Sequence, residues 1–230
     1  MARRSLAALR SYAIETVVVT GVALLLIFHV DLPLAMRLSH SLPTSMTGDP
    51  AALLEAISHL GRGEYYLAFS VPGLALGLWL LRRPEQRRRI QGWGILYAST
   101  LVTFTLGVGH LLVFLLKQTV ARLRPSQLIE SGGLDGFAEP FSGEPFTSLP
   151  SSHCFTAFAM AAVFSRLKPD LRAVFFGAAL LVAVQRMLAR HHFLSDIFIS
   201  LFLALMVSEA VHAAWRAVAA ALARRLTPKA

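Results

Sequence analysis

The sequence predicts an all-α fold, a bundle of six transmembrane helices, and two observations carry this prediction. The chain of 230 residues is 55% hydrophobic and only 15% charged, with a mean hydropathy of +0.59, whereas an ordinary soluble domain is about 25% charged. The apolar residues also come in long runs, and a hydrocarbon core about 30 Å thick needs roughly 20 of them in a helix. So much apolar material excludes a disordered chain, and the single cysteine, Cys154, excludes a disulfide-rich scaffold.

The six predicted spans form one integral-membrane domain over residues 1–230. They cover residues 13–30, 65–81, 93–116, 152–167, 173–188 and 194–215, of which the fourth is short. The first run follows three arginines, as a secretory signal peptide would. It is longer than a typical signal-peptide core and no small-residue cleavage site follows promptly, so we interpret it as a retained span. Pro72 lies inside the second span, where neighbouring helices can satisfy the carbonyl that a proline leaves free.

The basic residues are distributed unevenly between the two sides of this bundle. Of the 22 Lys and Arg residues, which give a net charge of +9, fifteen fall at the termini and in the second-to-third and fourth-to-fifth connections. Cytoplasmic loops are enriched in Lys and Arg, so both termini are predicted to be cytoplasmic, with the Arg82–Arg89 run as a topology signal in a solvated loop. A strongly basic chain often binds nucleic acid, but such proteins are rarely this apolar, and no nucleic-acid partner is predicted.

Two long connections lie on the other, outer side. Within residues 31–64, the stretch from Ala51 to Leu60 has apolar residues at the spacing of an amphipathic helix at the membrane interface. Residues 117–150 are rich in Gly, Ser and Pro and are predicted to lack regular structure; a long loop of this kind is usually functional or disordered.

The outer side also carries seven basic residues, although it should be poor in them, and five of these belong to three clusters that contain other polar residues. The clusters are Lys117-Gln-Thr-Val-Ala-Arg-Leu-Arg124-Pro125, Pro150-Ser151-Ser152-His153 and Arg186-Met-Leu-Ala-Arg190-His191-His192-Phe-Leu-Ser-Asp196. Each lies where a predicted span meets the outer surface, so the six-span topology gathers all three at one membrane face. Converging cations repel one another unless a multiply charged anion lies between them, and phosphate is the usual one.

The spacings within the clusters suggest how each one acts. Lys117 and Arg124 are seven residues apart, so they can share a helix face before Pro125 ends the helix. Either Ser151 or Ser152 suits the N-cap of the fourth span, where free backbone N–H groups bind anions and His153 would project from the first turn. In the third cluster, His192 and Asp196 are four residues apart, so the carboxylate can hold the imidazole and raise its basicity, which favours a histidine nucleophile.

These clusters resemble the signature of the type-2 phosphatidic acid phosphatase family, the integral-membrane lipid phosphatases related to vanadium haloperoxidases. The family pattern is Lys-x6-Arg-Pro, then Pro-Ser-Gly-His, then Ser-Arg-x5-His-x3-Asp. The chain matches its order and internal spacings over residues 93–215, with two departures: Ser152 replaces the glycine, and Gln185 replaces the serine before Arg186.

The resemblance implies a role for each matching residue. His192 would attack phosphorus and form a phosphohistidine, with Asp196 orienting it. His153 would protonate the leaving oxygen and then activate the water that releases phosphate. The phosphoryl oxygens would be held by Lys117, Arg124, Ser151, Ser152 and Arg186. No metal or other cofactor would be needed, because the cations supply the positive charge.

Further polar residues lie in or beside the predicted spans. Arg122 and Arg190 are candidates for contacts to the substrate headgroup, and His191 is predicted to lie on the surface. The remaining polar residues in the spans are predicted to make structural hydrogen bonds: Glu15, His29, His110, Glu209 and His212. The sequence around Cys154 lacks the arginine of a Cys-x5-Arg phosphatase, and the chain has no Asp-x-Asp motif.

The sequence therefore predicts an enzyme of the bacterial inner membrane that hydrolyses a lipid phosphate at its periplasmic face. The substrate would be undecaprenyl diphosphate, phosphatidylglycerophosphate, phosphatidate or a lipid A phosphate, and no obligate protein partner is predicted. One alternative is a lipid phosphotransferase, in which a second lipid intercepts the phosphohistidine. Another is a non-catalytic lipid-phosphate binder or transporter that uses the same basic pocket.

Overall fold

The computed structural model describes residues 2–41, 49–132 and 136–226. These residues form helices without a β-sheet, and their only strand-like pairing is an isolated antiparallel bridge between Arg122 and Phe137. The helices are α1 (Ala2–Leu25), α2 (Asp31–Ser41), α3 (Asp49–His59), α4 (Gly63–Leu81), α5 (Gln86–Val120), α6 (Pro125–Glu130), α7 (Ser152–Leu167), α8 (Arg172–Leu188) and α9 (Leu194–Leu226). The prediction of an all-α fold is confirmed.

Five helical stretches in the described part of the chain are long and apolar enough to cross a membrane. They are Ile14–His40, Ala52–Leu81, Gln86–Val120, Pro169–Leu188 and Leu194–Leu222. The remaining predicted span corresponds to α7, whose 16 residues fall short of the roughly 20 that a full crossing needs. The structure thus agrees with a multi-pass membrane protein without establishing a sixth full-length span.

The short helix α7 forms the centre of the bundle. It packs against α5, α8 and α9, and every residue from Cys154 to Val163 is buried. Four alanines in this stretch, with side chains too small to hold neighbours apart, allow the close approach that membrane helices need. Gly109 of α5 does the same from the other side, because a Cβ there would lie 1.8 Å from the ring of Phe155. Tight packing here fixes the position of the α7 N-terminus.

The first membrane helix is longer than predicted. A π-helical turn over Leu26–Val30 joins α1 to α2, so the chain remains helical through Ser41 instead of leaving the membrane at residue 30. The predicted span ends with the apolar run, at the residue before the charged Asp31. In the structure Asp31 is only 1% exposed and is ion-paired, which removes the reason for the helix to end. A π-helical turn of this kind is often found at functional sites.

Two predicted loops contain helical residues. Arg87, Arg88 and Arg89 lie in the first turns of α5, because that helix begins at Gln86, seven residues before the predicted span. Pro125 opens the short helix α6 within the stretch of residues 117–150, which was predicted to lack regular structure. A helix predicted over residues 51–60 is present as α3.

Three of the polar residues in the spans make the structural contacts predicted for them. His110 bonds Thr156 Oγ1 at 2.9 Å, His212 bonds the Tyr97 hydroxyl at 3.2 Å, and Glu209 pairs with Arg166 at 2.6 Å. These contacts join α5, α7 and α9 to one another. Of the basic residues that predicted the orientation, Lys229 lies outside the described residues.

Candidate active site

The N-terminus of α9 holds the histidine–aspartate pair. Asp196, in the first turn, is fully buried, and its Oδ2 accepts hydrogen bonds from the Phe193 N–H at 2.9 Å and the Ser148 hydroxyl at 2.6 Å. The bond from Phe193 is the capping-box contact in which the side chain at the third helical position accepts from the N-cap N–H. The helix dipole also favours a carboxylate at this end of α9. His192 precedes the helix, with its Nδ1 3.5 Å from the same Oδ2. The predicted pair is therefore brought together, although His192 itself is not helical.

The environment of the His192 imidazole determines its protonation state. Burial lowers its pKa to about 4, and the neighbouring Asp196 carboxylate opposes that shift only in part. The ring is therefore neutral near pH 7. A carboxylate beside Nδ1 favours the tautomer that is protonated there, which leaves the Nε2 lone pair free to attack. The same buried setting that disfavours the imidazolium ion thus keeps the nucleophilic form populated.

The segment of residues 136–151 before α7, called the outer loop below, brings Lys117 and Arg124 together at Thr147. The ammonium group of Lys117 donates to the Thr147 carbonyl, while Arg124 Nη2 donates to Thr147 Oγ1 at 3.1 Å and to Glu144 Oε1 at 2.8 Å. The predicted reason for their proximity, a shared helix face, is wrong. Helix α5 ends at Val120, and Arg124 is an extended residue at the start of α6.

Arg186 completes a group of three cations. Arg186 lies in the last turn of α8, and its positive charge interacts with both His192 and Lys117. The positive charge of Arg124 also interacts with Lys117. The Nε atoms of Arg186 and Arg124 are buried, and neither finds a hydrogen-bond partner among the described residues. Buried donors almost always have an acceptor in a functioning protein. Two such donors, on converging cations beside a buried histidine, match the acceptor oxygens of a phosphoryl group.

Ser151 is the N-cap of α7. Its Oγ accepts a hydrogen bond from the Cys154 N–H at 3.3 Å, and its own N–H donates to Ser200 Oγ at 2.8 Å. Because Ser151 is fully buried, its hydroxyl stabilises the helix end and does not face an open surface. The next two N–H groups, of Ser152 and His153, have no acceptor within the helix and are the ones available to an anion.

The corner between α3 and α4 covers His153. A Cβ added to Gly61 would lie 2.8 Å from His153 Cβ and 2.9 Å from its carbonyl oxygen, so only glycine permits this contact. Next to Gly61, Arg62 forms an ion pair with Glu55 at 2.8 Å on the outside of the corner. This corner therefore packs against the first turn of α7, where His153 lies.

Two neighbours of the third cluster differ from their predicted environment. His191, predicted to lie on the surface, is half-buried, and burial together with Arg186 and Arg124 lowers its pKa to about 4. Arg190 Nη2 donates to the Ser39 carbonyl of α2 at 3.3 Å. Its guanidinium thus reaches the first helix rather than an open headgroup surface.

Arg122 has a different position from the one predicted. Instead of facing a headgroup, it is 4% exposed and pairs with Asp31 and Asp196, at 2.8 Å each. Asp31 and Ser148 were not singled out in the sequence at all. One signal for Asp31 was present, since a charged residue adjoining an apolar span must find a partner. Ser148 had no comparable signal.

Within residues 2–41, 49–132 and 136–226, no group of three or more His, Cys, Asp and Glu residues is placed to hold a metal ion. Positive charge at the site comes from the side chains of Lys117, Arg124 and Arg186.

Comparison with known proteins places this arrangement in a family. Residues 93–219 match the PAP2 superfamily. A protein of Rhizobium johnstonii named lipid A 1-phosphatase is 33% identical over 116 residues, which cover 50% of this chain and 47% of that protein. A protein of the same name from Rhizobium etli is 31% identical over 169 residues, covering 69% and 70% of the two chains. The chain thus spans about half of the length of the first relative and 70% of the length of the second.

Two solved structures share the fold. Aquifex aeolicus LpxE superimposes with a TM-score of 0.53 at 19% identity, over 80% of this chain and 95% of that one. The transmembrane PAP2 type phosphatidylglycerolphosphate phosphatase from Bacillus subtilis superimposes with a TM-score of 0.59 at 20% identity, over 88% and 96% of the two chains. Both similarities extend to the first third of the chain, for which the sequence offered only a hydrophobic pattern.

Proposed function

The chain belongs to the PAP2 superfamily, and from that premise we propose that it is a membrane enzyme that hydrolyses lipid phosphates through a phosphohistidine at His192. One observation carries the proposal: Lys117, Arg124 and Arg186 converge beside a buried, neutral His192, and two of them present buried donors without acceptors. Positioning and charge stabilisation account for most phosphoryl-transfer catalysis.

The reaction proceeds in two displacements. In the first, Nε2 of His192 attacks phosphorus while the bond from phosphorus to the lipid oxygen breaks. His153, which enters this step as the imidazolium in the complex with the phosphate dianion, gives that oxygen its proton and becomes neutral. In the second, His153 takes a proton from water, the hydroxide attacks phosphorus, and the phosphorus–nitrogen bond breaks. The products are the lipid alcohol and inorganic phosphate. The three cations hold the phosphoryl oxygens through both steps, so the scheme requires no metal ion.

For the substrate we propose the 1-phosphate of lipid A. Support comes from the two Rhizobium relatives, since both carry the name lipid A 1-phosphatase. The residues that would contact the headgroup are the α3–α4 corner beside His153 and the outer loop that holds Arg124.

The substrate is tested by phosphate release from a panel of purified lipids with the detergent-purified protein. The panel contains lipid A, phosphatidate, phosphatidylglycerophosphate and undecaprenyl diphosphate. We expect lipid A to have the highest kcat/KM, by roughly tenfold, or about 1.4 kcal/mol in transition-state stabilisation. Activity should persist in EDTA. Preference for another lipid would contradict the substrate assignment, loss of activity in EDTA would contradict the metal-free scheme, and a doubly phosphorylated lipid product would indicate a phosphotransferase.

We also propose that the site faces the periplasm from the inner membrane and that both termini are cytoplasmic. Along α5, α7, α8 and α9 the site residues lie at one end and basic residues at the other, as the positive-inside rule requires. The test introduces single cysteines at two exposed positions, Glu139→Cys beside the site and Arg88→Cys at the far end of α5. A membrane-impermeant maleimide should label only Glu139→Cys in spheroplasts, while native Cys154 is buried. Labelling of Arg88→Cys alone would show that the protein has the opposite orientation in the membrane.

A further inference from the structure

A chain of buried charges connects the first membrane helix to the candidate catalytic aspartate. Arg122 Nη2 donates to Asp31 Oδ2 at 2.8 Å, and Arg122 Nη1 donates to Asp196 Oδ1 at 2.8 Å. The three residues are 4%, 1% and 0% exposed, respectively. Arg122 uses the two arms of its planar guanidinium on two different carboxylates, a geometry that lysine cannot reproduce.

Arg122 is itself held rigidly. Its carbonyl accepts a hydrogen bond from the Ser148 N–H at 2.9 Å, within the loop that also supplies the Ser148 hydroxyl to Asp196. Its guanidinium lies 4.0 Å from the ring centre of Phe193 and 5.7 Å from that of Phe137. Aromatic faces attract a guanidinium, and this attraction is stronger where water is excluded.

Asp31 fixes the same helix end from across the bundle. Its Oδ1 accepts a hydrogen bond from the Ser195 N–H at 3.0 Å, and its Oδ2 accepts one from the Ser195 hydroxyl. Backbone N–H groups in the first turn of a helix lack intrahelical acceptors, so Asp31 acts as a cap for α9 supplied by α2. The contact joins residues 164 positions apart in the chain.

Together these contacts fix both oxygens of the Asp196 carboxylate. Oδ1 receives Arg122, while Oδ2 receives Ser148 and Phe193 and lies 3.5 Å from His192 Nδ1. The carboxylate therefore cannot rotate away from the imidazole without breaking a charged hydrogen bond. Net stability is a weak explanation for such a network, because a buried ion pair is often no more stabilising than apolar residues of similar volume.

We propose that Asp31 and Arg122 are positioning residues of the phosphoryl transfer. Asp31 orients Arg122, Arg122 orients the Asp196 carboxylate, and Asp196 holds His192 in line with phosphorus. This inference rests on the proposed function. The first membrane helix lies outside the residues matched to the PAP2 superfamily. Under this proposal it nevertheless contributes a positioning residue, Asp31, to the site.

The experiment compares Arg122→Met, Arg122→Lys, Asp31→Asn and the double variant Arg122→Met/Asp31→Asn with the unsubstituted protein. Arg122→Met should lower kcat by about 10²-fold, the loss typical of a small misplacement of a reacting group, with KM within about threefold. Arg122→Lys should retain more activity than Arg122→Met, because lysine keeps the positive charge although it lacks the planar guanidinium that reaches both carboxylates. The double variant should be more active than Arg122→Met alone, because Asp31→Asn removes the carboxylate left without its partner.

The matched control is Arg166→Met. Arg166 also pairs with a carboxylate across two helices, Glu209 at 2.6 Å, but lies at the far end of α7 from the site. The kcat of Arg166→Met should stay within about twofold of the unsubstituted protein, because a partly exposed ion pair contributes little free energy. All rates are divided by the amount of folded protein, which is measured by size-exclusion chromatography. If Arg122→Met fails to fold, the kcat values of Asp31→Asn and Arg122→Lys test the positioning role.

The outcomes separate the two proposals. If the unsubstituted protein releases no phosphate from any lipid of the panel, the proposed function is wrong. If it is active and kcat per folded molecule is unchanged in Arg122→Met and Asp31→Asn, the positioning role alone is wrong. A fall in folded yield with unchanged kcat would likewise assign these residues to stability and overturn the inference.

Discussion

Replacing His192 by alanine is expected to lower kcat by on the order of 10⁴-fold or more, the scale of effect seen when a covalent nucleophile is removed. KM should change little, because the phosphate-binding cations remain in place. The physical reason is that His192 is the imidazole held beside the Asp196 carboxylate and among the cations. The measurement is phosphate release from the lipid substrate, with folding checked by thermal unfolding in detergent.

The matched control for this variant is His191→Ala. His191 is the neighbouring residue and is half-buried near Arg186 and Arg124, so its replacement also removes a neutral imidazole and alters the local packing. It should retain most of the activity. Comparable kcat values in the His192→Ala and unsubstituted proteins would contradict the assignment of the nucleophile, and a loss confined to His191→Ala would transfer that role to His191.

A second large effect is expected for His153→Gln, and its size should depend on the leaving group. Removing a general acid typically costs about 10²- to 10⁴-fold for a reluctant leaving group such as a lipid alkoxide. An activated aryl phosphate releases a phenolate that needs no proton, so its phosphorylation step should be nearly unaffected. Rapid-quench measurement of the first turnover isolates this step from the later hydrolysis, which also uses His153.

The comparison with His192→Ala makes this result specific. His192→Ala should lose the first turnover with both substrates, whereas His153→Gln should lose it only with the lipid. Equal slowing of both substrates by His153→Gln would show that His153 does not protonate the leaving group. Gly61 and His153 are in van der Waals contact, so the isosteric polar glutamine is preferable to a larger replacement.

The sequence predicted the helices well where hydrophobic length decides the outcome. Long apolar runs define α4, α5, α8 and α9, because burying backbone polar groups in lipid leaves few alternatives to a helix. It also predicted the bounds of α7, Ser152–Leu167, although this buried helix is too short for a full crossing. The predicted end of the first helix was wrong. The charge of Asp31 is neutralised by Arg122, 91 residues away, which no local pattern reveals.

The candidate site was predicted in outline through its spacings. His192 and Asp196 are near neighbours in the chain, so their contact followed from local geometry. Lys117 and Arg124 meet for another reason than the one predicted, because the outer loop places Thr147 between them. The function of Arg122 could not be read from its position two residues before Arg124. It depends on contacts with α2 and α9 that only the assembled bundle creates.

The central claim is a covalent phosphohistidine at His192, and direct detection of that intermediate tests it most directly. His153→Gln protein is mixed with a labelled aryl phosphate, so that phosphorylation proceeds while hydrolysis of the intermediate lacks its base. The sample is quenched in alkali, in which phosphohistidine is stable, and digested for mass analysis. We predict one phosphoryl group on His192, present in His191→Ala/His153→Gln and absent from His192→Ala/His153→Gln. Turnover of the substrate without label on His192, or with the label on another residue, would contradict the mechanism.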